Sequence, residues 1–97
     1  MSMERIPELS LFYQRIRNDH RIGPTHISLY MAVFQLYNQN GFSNPIPINR
    51  ALLMELSKIS GLATYHKCIK ELMEFRYIDY QPSFKSKVDS KAWILNG

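Results

Sequence analysis

Ninety-seven residues are enough for one domain with a single core and too few for two. Lys and Arg number 12 against 8 Asp and Glu, a formal net charge of +4, and the isoelectric point near 9.4 suits a polyanionic partner. The single cysteine excludes an internal disulfide, and no apolar run reaches the roughly 18 residues that span a bilayer.

The N-terminus Met1-Ser2-Met3-Glu4-Arg5 lacks the apolar segment of a secretory leader. A soluble cytoplasmic protein with no membrane partner is therefore expected. Five Phe, six Tyr and one Trp supply bulk for a core without a metal or a cofactor. Basic residues concentrate in the C-terminal half: Arg50, Lys58, Lys67, Lys70, Arg76, Lys85, Lys87 and Lys91 stand against Glu55, Glu71, Glu74, Asp79 and Asp89. Scattered lysines of this kind are most often a solvated surface, so charge alone leaves the partner open.

In chain order, Ile6, Leu9, Phe12, Tyr13 and Ile16 recur at three- and four-residue steps and predict an amphipathic helix over 7–20, with Pro7 in its first turn. Ile22-Gly23-Pro24 breaks it. Residues 25–40 are apolar on nearly all sides, which predicts a central buried helix that Asn40-Gly41 terminates. The prolines of 42–48 exclude a helix there, and the alternation of Ile46 and Ile48 predicts a short edge strand.

Asn49 is a good N-cap for a helix over 50–57, with Ile48 placed to pack on Leu53 as a hydrophobic staple. Leu52, Leu53 and Leu56 are expected to form its core face. Lys58-Ile59-Ser60-Gly61 makes a turn, and either Ser60 or Gly61 caps the next helix, over 62–75. In that helix Leu62, Tyr65, Ile69, Leu72 and Met73 share one side, flanked by Cys68 and Phe75. Ala63, Thr64, His66, Lys67, Lys70 and Glu74 share the other. The period then changes to two: Tyr77 to Gln81 and Lys91 to Leu95 predict a hairpin over 77–95 around a polar loop bearing Lys85 and Lys87.

Helix, turn, helix and hairpin in this order make a mainly α domain with a small antiparallel hairpin or sheet, a winged helix-turn-helix with a three- to four-helix core. The exposed side of 62–75 begins with small and hydrogen-bonding residues followed by lysines, the composition that entry into a DNA groove requires. On that reading Thr64, His66, Lys67 and Lys70 read bases, and Leu62 or Ala63 is available to a thymine methyl. Ser60, Arg50, Lys58, Arg76, Lys85 and Lys87 lie towards the backbone.

Blander readings compete. An exposed helical His66 is often only solvated, His20 and His26 follow no pattern, and Cys68 is read as a packing residue without redox or metal chemistry. The aromatic stripe of Tyr30, Phe34, Tyr37 and Phe42 is read as core. Trp93 is expected to pack on the inner face of the sheet in preference to stacking on a base.

Ile27-Ser28-Leu29-Tyr30, Leu56-Ser57-Lys58-Ile59, the run from Thr64 to Leu72, Tyr77-Ile78-Asp79-Tyr80 and Pro82-Ser83-Phe84 together resemble a group of small bacterial winged-helix proteins, regarded as transcriptional regulators. The likeness covers about residues 24–95. It implies double-stranded DNA as partner, Thr64, His66, Lys67 and Lys70 in the major groove, and Lys85 and Lys87 in the wing. Many such modules carry Gly where this chain has Arg76. If the backbone there needs a positive φ, Arg76 costs on the order of 1 kcal/mol that Gly would avoid.

Modules of this kind usually dimerise on a two-fold site, and the helix over 7–20 is the element available for a homodimer contact. The alternative is a winged-helix protein-interaction module or an accessory factor in replication or transfer. No paired carboxylates, nucleophile-base set or phosphate-binding glycine loop supports an enzyme.

Overall fold

The structure is a computed structural model, and it describes residues 6–83 and 89–95. Four helices, α1 (Ile6–Arg17), α2 (Pro24–Gln39), α3 (Arg50–Ser57) and α4 (Leu62–Glu74), alternate with three strands, β1 (Ile46–Ile48), β2 (Ile78–Gln81) and β3 (Ser90–Ile94). The strands form an antiparallel sheet in the order β1-β3-β2, with Ile46 opposite Ala92 and Tyr80 opposite that same alanine. This mainly helical domain with its small sheet is compatible with a winged-helix fold preceded by an extra helix. Among the described residues, no helix is long and apolar enough to cross a membrane.

The predicted elements are present, with shifted ends. α1 stops at Arg17, not at residue 20, because the chain turns there: the Asp19 N–H donates to the Ile16 carbonyl, and the Asp19 carboxylate accepts from the Arg21 N–H and guanidinium. A short acidic side chain that bonds its own neighbours competes with helix propagation. α2 begins at Pro24, which needs no N–H partner in the first turn. Its other end is closed as expected, with Gly41 at φ 67° directly after Asn40.

Leu29, Tyr30, Ala32, Val33, Phe34, Leu36 and Tyr37 of α2 are all buried, so this helix is the post around which the domain packs. The stripe of aromatics is core: Phe12 of α1 stacks on Tyr30 at 3.8 Å and 4° from parallel, and Phe34 meets Tyr37 edge-on. Asn49 caps α3, its side chain accepting from the Leu52 N–H at 3.1 Å. Gly61, not Ser60, is the N-cap of α4.

Three side-chain expectations need correction. Of the three leucines of α3 only Leu53 is buried, while Leu52 and Leu56 remain 38% and 41% exposed. With eight residues, α3 makes little more than two turns, and its inward direction is taken by Leu53 and Ser57. Leu62 is likewise 48% exposed, because it opens α4 before the helix reaches the core, and Cys68 takes its place on the buried face beside Tyr65, Ile69 and Leu72. Trp93 does not line the inner face of the sheet. β3 alternates so that Ala92 and Ile94 point inwards, and Trp93 is half-exposed on the outer face, opposite Asp79.

Of the hairpin strands, β2 is one residue shorter than expected and β3 is shifted by one residue. β2 starts at Ile78, since Tyr77 is drawn beneath α1, where its hydroxyl donates to Asp19 at 2.7 Å. β3 ends at Ile94, although the Leu95 N–H still reaches the Tyr77 carbonyl at 3.2 Å. The β1–β3 pairing is prolonged by Asn44, just before β1, whose side-chain amide accepts from the Ile94 N–H and donates to the Ile94 carbonyl, as a neighbouring strand would.

Candidate nucleic-acid interface

The turn between α3 and α4 sets the geometry of the candidate surface. Lys58 takes a left-handed conformation with φ 63°, its N–H donates to the Glu55 carbonyl, and the Ile59 N–H donates to the Met54 carbonyl. These bonds use the last carbonyls of α3 and reverse the chain. Ile59 is then buried as the peg of the turn, and Ser60 and Gly61 are left exposed.

α4 is the most strongly two-faced helix of the chain in its residue pattern. Tyr65, Cys68, Ile69 and Leu72 seat it on the core, and Ala63, Thr64, His66, Lys67, Lys70 and Glu74 are all exposed. The polar side expected from spacing is therefore uncovered. Lys67 has no ion-pair partner among the described residues, whereas Lys70 lies 3.9 Å from Glu74, one turn on. At that separation and exposure the pair is worth only tenths of a kcal/mol, roughly the i,i+4 value, and leaves Lys70 available to another anion.

Glu71 is kept from this face by α2. His26 Nδ1 accepts from the Gly23 N–H at 3.0 Å, and its Nε2 lies 3.1 Å from Glu71 Oε1. One imidazole thus closes the first turn of α2 and ties that turn to the middle of α4. Sequence pattern missed this role of His26. The available signal was a hydrogen-bonding residue three places after the Gly23-Pro24 helix start, the position from which a side chain returns to an N-cap N–H.

The clefts beside α4 bring other candidates together. One, of about 370 Å³, lies between the α2 N-terminus and the turn, and is lined by Thr25, Ser28, Lys58, Ser60 and Thr64. Ser28 is held there by donating its hydroxyl to the Ser57 carbonyl. Gly61, which lines this cleft, is an N-cap without a side-chain bond to its helix, whereas at the α2 start Pro24 has no N–H and the Gly23 N–H is already bonded to His26. Thr25 and Ser28 were not singled out from sequence, because which residues flank a turn in space depends on how α2 crosses it.

A second groove, of about 480 Å³, lies between α4, the start of α3 and the loop end of the β2 and β3 strands. Arg50 and His66 line it with Asn49, Tyr80, Ser83 and Asp89. Arg50 and His66 thus share one groove, and Asp89 brings a negative charge to it. On the buried side of α4 the Tyr65 hydroxyl is pushed up to about 12, chiefly by loss of water. Burial likewise raises the Cys68 thiol, with a smaller contribution from Glu71.

Arg76 belongs to the opposite end. It follows the Phe75 C-cap with φ 67°, and the α4 rise puts it about 20 Å from Gly61 along the axis. The structure does not bring it to Thr64, Lys58 or Arg50. Lys85 and Lys87, expected in the wing, lie outside the described residues. Comparison of the chain with protein-family models, with curated proteins and with solved structures gave no match.

Proposed function

We propose that this chain is a sequence-specific double-stranded DNA-binding protein of the transcriptional-regulator kind, with α4 as the helix that enters the major groove. The observation that carries the proposal is the uncovered face of α4, on which Thr64, His66, Lys67 and Lys70 stand together while Glu71 is drawn aside by His26. Major-groove readout needs donors on a helix that clears the rest of its domain. Lysines at the same surface release counterions from the phosphates and supply affinity that does not depend on sequence.

Lys58 and the α4 start, whose Gly61 N-cap has no side-chain bond, line the neighbouring cleft and suit a backbone phosphate, and Arg50 suits another across α4. A homodimer on a two-fold site is the expected stoichiometry, since one such helix spans only a few base pairs. The test is binding of the full chain to duplexes selected from a random pool, followed at several salt concentrations. Affinity is expected to fall steeply with salt, and the double variant Lys67→Glu with Lys70→Glu to lose binding while keeping its circular dichroism. Binding insensitive to salt would sink the proposal.

Exposed Leu52 and Leu56, one turn apart on α3, support a second reading, a protein-interaction module in a replication or transfer assembly. Its signature is a partner that survives nuclease treatment, with no DNA shift.

A further inference from the structure

Resting on the DNA-binding reading, we propose that Leu62 reads the C5-methyl group of a thymine, so that the preferred duplex places a thymine opposite the first turn of α4. Leu62 is 48% exposed at the start of this helix, although the pattern of α4 assigns it to the core side. Its neighbour Ala63 is small and also exposed, which lets the backbone of the first turn approach a base edge closely.

The rest of the exposed face narrows the chemistry. It carries Thr64, His66, Lys67, Lys70 and Glu74 but no Arg, Asn or Gln. Paired hydrogen bonds to guanine come mainly from Arg or Lys, and those to adenine from Asn or Gln. The lysines start five and eight residues beyond Leu62, about 7 and 12 Å along the axis, so they serve base pairs or phosphates other than the one the first turn meets. What the first turn offers is apolar surface and one threonine. Among the base edges of the major groove, thymine alone presents an apolar group. An exposed leucine there gains from that methyl and gains nothing from water or a phosphate.

The experiment uses the full chain and the duplex it enriches from a random pool, with each thymine replaced in turn by uracil, which removes only the methyl. One position is expected to lose about fourfold in affinity, the effect of burying roughly one methylene-sized group. In Leu62→Ser, whose exposed site leaves the fold unchanged by circular dichroism, thymine and uracil at that position are expected to bind equally. Tolerance of uracil at every position overturns the assignment, and so does a methyl preference that persists in Leu62→Ser. Failure to enrich any duplex is a different result: it overturns the DNA-binding reading, and this assignment falls with it.

Discussion

Arg15 of α1 donates to the carbonyl of Arg76, 3.1 Å away, at the residue where the chain leaves α4 with φ 67°. Its second amino group reaches the Phe75 carbonyl at 3.3 Å, and its guanidinium lies 4.0 Å over the Tyr77 ring. A cation from the first helix thus closes the C-terminal end of the fourth, where the helix dipole is negative.

Two substitutions probe this junction in opposite directions. Arg15→Ala is expected to lower stability by about 1 kcal/mol, the worth of one exposed and one part-buried charge-assisted bond. Arg76→Gly is expected to raise it by about 0.5–1 kcal/mol, because glycine adopts the left-handed conformation without the Cβ conflict. Urea midpoints of the two variants check both signs. An Arg76→Gly protein less stable than the parent would show that its side chain contributes more than its backbone costs.

The junction also marks how far the sequence was legible. The question of a special residue at position 76 is raised by the resemblance to modules that carry Gly there, and the φ of 67° shows that the backbone does take the left-handed conformation. That Arg15 would support it does not follow from sequence, because 61 residues separate the partners and only tertiary packing joins them. The same division runs through the interface. The exposed side of α4 was readable from periodicity, as were the Asn49 cap and the β1 alternation. Leu52, Leu56 and Leu62 were misassigned for one reason: they lie on or beside short, end-dominated segments, where three-residue spacing is satisfied by chance. Trp93 was misassigned because the phase of a five-residue strand is set by its neighbours' registers, and these are invisible in one strand alone.

Asp19 makes stability depend on acid pH. Its carboxylate accepts from the Arg21 side chain at 2.8 Å and from the Tyr77 hydroxyl at 2.7 Å, and these bonds, the arginine first, hold it well below the usual carboxylate range. A depressed folded-state value means that the stabilisation is fully present above the unfolded value, near 4, and is lost as pH falls towards the folded one. Asp19→Asn is therefore expected to cost on the order of 1–2 kcal/mol at pH 7. The gap between parent and variant should shrink as pH drops below about 4. Thermal melts across pH 2–7 measure it, and a gap independent of pH would refute the ionic origin.

Leu53 and Leu56 sit three residues apart on α3 with opposite environments, 0% and 41% exposed. Leu53→Ala removes buried methyl groups and leaves a void, so a loss of about 2–5 kcal/mol is expected. Leu56→Ala is expected to change stability by less than about 0.5 kcal/mol. Equal losses in denaturant titrations would mean that Leu56 is covered in solution, as the protein-interaction reading or a homodimer through α3 requires, and dilution of the sample would separate those two.

Salt dependence distinguishes the cations around α4 from those elsewhere. Removing a cation that neutralises one phosphate lowers the slope of log affinity against log salt by roughly one. Lys67, exposed on the free face and without an ion-pair partner among the described residues, is placed to reach a base edge and, as a cation at the duplex, also releases counterions, so Lys67→Ala should reduce the slope by about one. Lys58, which lines the cleft at the two helix starts, should behave in the same way. Arg76→Ala should leave the slope unchanged, because Arg76 follows the far end of α4 and its carbonyl is engaged by Arg15. Competition titrations across a series of salt concentrations give the slope for each variant. Were Arg76→Ala to lower the slope and Lys58→Ala not, the duplex would lie along the C-terminal end of α4, and the orientation proposed for it would have to be reversed.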